Sequence, residues 1–117
     1  MNLLPACCTP LDAHWPLPEP LPGTVFLGTH FDPALLAAGD FQRCAVPAPA
    51  SIQRSVAKRQ AEFLAGRLCV RAALQHLDQL DCIPAIGEDR APVWPAHISG
   101  SITHSTGHAA AIVGYKA

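Results

Sequence analysis

The residues best suited to chemistry fall in two places. Arg54, Lys58 and Arg59 form a basic cluster near the start of a long helical pattern, and Ser101, Thr103, His104, Ser105 and His108 crowd a short run rich in glycine and hydroxyl groups. Cations at a helix N-terminus oppose the macrodipole by roughly 0.3–1 kcal/mol each. The cluster therefore implies either a solvated face or an anion that offsets the cost. Arg54 and Lys58 are four residues apart, as are Arg67 and Arg71 further along, so each pair is expected on one side of a helix. Small hydroxyl residues and glycines let a backbone and an imidazole come close to a ligand, which suits anion contact beside Thr103 and His104. On these residues alone, a phosphate cradle and a solvated face both stay open.

Other chemistries fit less well. His104 and His108 have an HxxxH spacing, but such a metal pair needs a helix to put both rings on one face, and Gly107 within a β pattern argues against one. Ser101 and Ser105 flank His104, yet neighbouring side chains on a strand point to opposite faces, and there is no GxSxG elbow for a hydrolase. No glycine-rich phosphate loop of the Walker or dinucleotide type is present. Five cysteines, Cys7, Cys8, Cys44, Cys69 and Cys82, are odd in number and contain no CxxC pair. They read as buried or idle thiols in a reducing compartment, with Cys69 packed inside the core helix.

The elements that must position these residues follow from periodicity and punctuation. Ser51 to Leu77 is free of proline and holds five of the eight basic residues. Val56, Phe63, Val70, Leu74 and Leu77, joined by Ala57, Ala61, Leu64 and Leu68, recur at threes and fours, which predicts one helix with a broad buried stripe and Ser51 at its start. Residues 24–30, TVFLGTH, predict a first strand. The run after it predicts a short helix capped by Asp32, with Pro33 at its first position and Gly39 as its stop. Residues 86–95 read as a turn or hairpin with Arg90 at an exposed basic tip. Ile98–His104 and Ala109–Tyr115 read as two strands around a Ser-Thr-Gly turn. Six of the twelve prolines lie in residues 1–23, which predicts an extended arm, disordered until it docks.

Half of the 117 residues are hydrophobic and 15% are charged, a balance that favours folding over disorder. The net charge of -1 offers no global attraction to nucleic acid or anionic membrane, so phosphate binding would have to be local. No apolar run approaches the ~20 residues of a membrane span. A cytoplasmic protein is expected.

Three segments taken together carry a resemblance: KRQAEFLAGRLCVRAAL, then GEDRAPVWP, then GSITHSTGHAAAIV. In this order and spacing they resemble the N-terminal half of a 4'-phosphopantetheinyl transferase of the surfactin type, in the subgroup of enterobactin synthase component D. The resemblance runs from about Thr24 to the end. It implies an α+β lobe over residues 24–117, a long helix packed on a small antiparallel sheet, preceded by the arm. It also implies transfer of 4'-phosphopantetheine from coenzyme A to a serine of an acyl or peptidyl carrier protein, leaving adenosine 3',5'-bisphosphate, in siderophore, polyketide, nonribosomal peptide or fatty acid synthesis. Residue by residue, Lys58 and Arg59 would hold nucleotide phosphates and Arg90 would lie near the adenine and 3'-phosphate. Thr103 and His104 would occupy the family's serine-histidine position, where the histidine contacts the 3'-phosphate. Arg67 and Arg71 read instead as structural.

The sequence also departs from the family pattern. The resemblance implies magnesium held by a Gly-x-Asp-x-Glu motif after the strand that ends AAAIVGY, and a Glu and Lys on a second lobe. The chain stops at Ala117 before any of these, so it is expected to keep part of the coenzyme A site and not to catalyse by itself. A non-catalytic module that binds a nucleotide or a carrier protein is the alternative.

Overall fold

The computed structural model describes residues 4–13, 23–78 and 94–115. In chain order these form β1 (Thr24–His30), a 3-10 turn (Pro33–Leu35), α1 (Asp40–Arg43), α2 (Ala50–Gln53), α3 (Ala57–Asp78), β2 (Ile98–Ser105) and β3 (His108–Tyr115). The mixed α+β character expected from the sequence is what the fold shows. The proposed hairpin around Arg90 lies outside the described residues, as does Cys82.

The long helix starts at Ala57, later than expected. Ser51 lies inside α2, whose N-cap position is Pro49. Side chains explain the break. The Ser55 hydroxyl donates to the Ser51 carbonyl at 2.7 Å, and the Gln60 amide donates to the carbonyls of Ile52 and Gln53, both at 3.1 Å. These carbonyls would serve backbone amides in a continuous helix, so local side-chain bonds replace one turn of it. Val56, placed by periodicity in the buried stripe, is 72% exposed in the connection, and Ala57 is exposed too. Arg54 and Lys58 do not share a helix side, because Arg54 caps α2.

The sheet is antiparallel with order β1-β3-β2. Registers run from Thr24↔Gly114 to His30↔His108 and from Ile98↔Tyr115 to Ser105↔His108. Side chains alternate between faces, and the set Leu27, Ile98, Ala111 and Val113 packs under Cys69, Val70, Ala73 and Leu74 of α3. On its other flank α3 meets a wrap of loops, where Phe63, Leu64 and Leu68 pack with Cys7, Cys44, Val46 and Ile52. The helix is thus covered on two sides rather than along one stripe. Gly66 lets β2 approach it: a Cβ there would stand 3.0 Å from Cγ2 of Ile102. The β2–β3 turn, Thr106-Gly107, relies on Gly107 at φ +73°, a conformation that glycine adopts without penalty.

The 3-10 turn after β1 has the expected cap, with the Asp32 carboxylate accepting from the Ala34 amide. It ends at Leu35 rather than running to Gly39, which instead takes a left-handed conformation at the start of α1. Residues 4–13 lie along the outer edge of β1. Asp12 and Gly28 exchange two backbone hydrogen bonds at 2.8 Å, the Thr9 amide donates to the His30 carbonyl at 2.9 Å, and the Thr29 hydroxyl donates to the Thr9 carbonyl at 2.7 Å. This segment satisfies a strand edge that would otherwise present free amides and carbonyls. The side chains of Cys7, Cys44 and Cys69 are buried and that of Cys8 is half-buried. Burial pushes the Cys69 thiol up to about 12, so it packs as a small apolar group.

Truncating the two ends of the sequence-derived stripe should separate them cleanly. Leu74→Ala is expected to cost about 2–5 kcal/mol and Val56→Ala less than about 0.5 kcal/mol, as read from urea denaturation midpoints.

Candidate functional site

Helix α3 and strand β2 meet at three charged or ionisable side chains. Arg59, in the first turn of α3, donates from Nη1 to Oε1 of Glu62 at 2.9 Å. Nδ1 of His104 lies 3.4 Å from the same oxygen. His104 occupies the helix-facing side of β2 because it alternates with Ile98 and Ile102, which pack into the core. Arg59 and His104 keep 44% and 39% of their side-chain surface exposed, whereas Glu62 keeps 15%. The carboxylate is wedged between helix and strand, and the two nitrogen-bearing groups open to solvent on either side. Glu62 also answers part of the electrostatic cost expected for a cation in the first helical turn.

Further along α3, Arg67 and Arg71 are each 6% exposed. Arg71 has a structural role: its Nη1 donates to the Cys44 carbonyl at 2.5 Å, tying the helix to the loop where Ala45 adopts a positive φ of 57°. Arg67 differs. Its guanidinium stacks over Phe63 at 4.7 Å from the ring centroid, and its buried Nε has no hydrogen-bond partner. Burial, with the positive charge of Arg59 as a lesser cause, pulls its pKa below arginine's ordinary value. Among the described residues no ion pair answers this guanidinium, which makes its burial costly, and it lies within electrostatic reach of Arg59. Arg67 is therefore a further candidate for contact with an anion. The signal available in the sequence was an arginine placed between Leu64 and Leu68 on one side and Val70 on the other, inside the apolar run.

The remaining sequence-derived candidates separate. Lys58 is exposed one position before Arg59, a step of about 100° around a helix, and joins neither bond to Glu62. Thr103 pairs with Ala110 and points to the sheet face opposite His104, so the two do not converge as a side-chain pair. Ser101 and Ser105 share that opposite face, which leaves them poorly placed to use His104 as a base. His108 also faces away from His104. It packs beside His30, ring centroids 5.0 Å apart, at a cavity of about 290 Å³ that Thr9, Asp12 and Phe26 help to line. Arg90 lies outside the described residues. Among the described residues no group of three or more His, Cys, Asp or Glu side chains is placed to hold a metal ion, and no helix is long and apolar enough to cross a membrane.

Chemically, two exposed donors fixed about one carboxylate, with a third guanidinium buried behind them, can receive a multiply charged oxyanion. Arginine offers a planar fork suited to phosphate, and imidazole adds a donor of different reach. Nothing in this group resembles a nucleophile.

Comparison with known proteins identifies the family. Residues 48–114 match the family model of the 4'-phosphopantetheinyl transferase N-terminal domain. The chain is similar to enterobactin synthase component D of Escherichia coli O157:H7, 40% identical over 94 residues, covering 80% of this chain and 44% of the relative. It is also similar to the 4'-phosphopantetheinyl transferases PptT of Mycobacterium tuberculosis, 47% identical over 68 residues, and Npt of Nocardia iowensis, 42% identical over 65 residues. Each of these two matches covers 56% of this chain and 29% of the relative. The chain thus spans less than half the length of these relatives.

If the buried charge of Arg67 is held for a ligand, removing it should stabilise the ligand-free chain. Arg67→Met, which keeps length and packing, is expected to raise unfolding stability by about 1–3 kcal/mol in urea denaturation. An equal loss would show that the guanidinium contributes to folding.

Proposed function

The chain belongs to the 4'-phosphopantetheinyl transferase N-terminal domain family, and from that membership we propose that it binds the phosphates of coenzyme A for transfer of 4'-phosphopantetheine to a serine of an acyl or peptidyl carrier protein. The observation that carries this reading is the convergence of Arg59 and His104 on Glu62 across α3 and β2, with Arg67 buried further along α3 and its Nε lacking a hydrogen-bond partner among the described residues. Arg59 and His104 take the 3'-phosphate, Arg67 adds charge from the helix interior, and Lys58 supplies a more loosely held cation at the rim. Arg90 completes the nucleotide end near the adenine. Thr103 contributes through its place in the strand beside His104.

The share of the reaction assigned to these residues is binding and orientation. Attack on the β-phosphate of coenzyme A builds charge on the pyrophosphate, and magnesium supplies the neutralisation in the family the sequence resembles. The described residues do not gather ligands for that ion, so none of them is given a part in holding it. What they do is fix the departing nucleotide, which converts part of the reaction into a step between positioned partners.

Calorimetric titration with coenzyme A and with 3'-dephospho-coenzyme A tests the assignment. Coenzyme A is expected to bind more tightly than its 3'-dephospho form. Arg59→Ala and His104→Ala should each weaken coenzyme A roughly 10- to 100-fold, the loss of one charge-assisted hydrogen bond, and should erase the preference for the 3'-phosphate. Equal affinity for both ligands in the unmodified chain would refute the 3'-phosphate role.

A further inference from the structure

We propose that Glu62 is the positioning residue of this phosphate site and that, through it, His104 takes up a proton when the phosphate binds. The inference rests on the reading of Arg59 and His104 as phosphate ligands. Glu62 is the most enclosed member of the cluster, its side chain 15% exposed, and a single oxygen, Oε1, faces both Arg59 Nη1 and His104 Nδ1. That one atom accepts from the guanidinium, and Nδ1 is the ring nitrogen of His104 turned toward it.

With Nδ1 turned to the carboxylate, Nε2 is the ring nitrogen left for a ligand. A neutral imidazole carries one proton. If the proton sits on Nδ1, the Nε2 lone pair meets the phosphate oxygen. If it sits on Nε2, the Nδ1 lone pair meets Glu62. Both contacts are favourable when both nitrogens carry a proton, so a phosphate that binds to the neutral ring draws a proton from solvent, and the proton ends on the imidazole. Among the described residues, the charged groups placed at the ring are Glu62 and Arg59, both from α3. Its cross-strand neighbour on β3 is the uncharged Ala109. Arg59 opposes the added positive charge, while Glu62 and the incoming phosphate favour it.

A carboxylate near an anion site would ordinarily be expected to repel the ligand. Here Glu62 has another effect, because freeing it would release Arg59 from its orientation and leave the ring free to rotate. The burial of Glu62 between α3 and β2 keeps it from swinging aside to make way for the phosphate.

The experiment is calorimetric titration of this chain with adenosine 3',5'-bisphosphate in buffers of different ionisation enthalpy at about pH 7.5, which counts protons taken up. His104→Ala reports the ligand's own contribution. The unmodified chain is expected to take up a substantial fraction of a proton more than His104→Ala. Glu62→Gln, checked to be folded by its thermal unfolding, should bind roughly tenfold more weakly and lose most of the extra uptake, with Glu62→Asp recovering part of both. Binding without extra uptake, or Glu62→Gln binding as tightly as or more tightly than the unmodified chain, overturns the proposal while leaving the phosphate site standing. No binding of the bisphosphate to the folded, unmodified chain overturns the phosphate-site reading and this inference with it.

Discussion

On a helix covered on two flanks, an inward-facing arginine is costly unless some group answers its charge. That constraint shapes the molecule. The sheet lies under one side of α3 and the loop wrap under the other, and both Arg67 and Arg71 fall within the covered length. Arg71 is answered by a backbone carbonyl from the loop before α2, so the charge helps to hold the wrap in place. Arg67 is met by an aromatic face, which offsets only part of its desolvation. Among the described residues its charge meets no carboxylate, and it lies within electrostatic reach of Arg59.

The rest of the fold holds this region still. Gly66 brings β2 close to the helix, so the strand bearing His104 lies against the turn of α3 that bears Glu62. The segment at residues 4–13 closes the far edge of the sheet through β1. It also contributes Cys7 to the packing beneath Phe63 and Leu64, one helical turn from Arg59. Local side-chain bonds at Ser55 and Gln60 end α2 and restart the helix at Ala57, and so place Lys58 and Arg59 in a first turn rather than in mid-helix.

Much of this was legible in the sequence. The strand Thr24–His30 and the two strands after Ile98 follow from β-branched composition and a glycine turn, and α3 follows from its period. The helix boundary did not, because Ser51, Ser55 and Gln60 divert carbonyls through contacts that periodicity does not weigh. Val56 matched the stripe by spacing and lies outside it for that reason. At the site, the basic residues and the histidine were visible by type. What could not be read was the carboxylate that joins them: Glu62 sits within the same motif, but its shared role depends on a strand more than thirty residues later in the chain. Arg67 was visible too, yet its burial against Phe63 with Nε unbonded among the described residues is a property of the packed interior and has no counterpart in composition.

The turn at Thr106-Gly107 has a consequence for inheritance. Side chains on a strand change face with every residue, so the identity of the residue that looks toward α3 is a matter of parity counted from the turn. With the present count His104 looks inward and Thr103 outward. A single residue inserted or lost between β2 and β3 would leave the composition of the motif intact and exchange those two places. A sequence comparison would still recognise the motif while the histidine faced the wrong side of the sheet. Gly107 touches neither Arg59 nor Glu62, but it belongs to the site in the sense that it keeps the count.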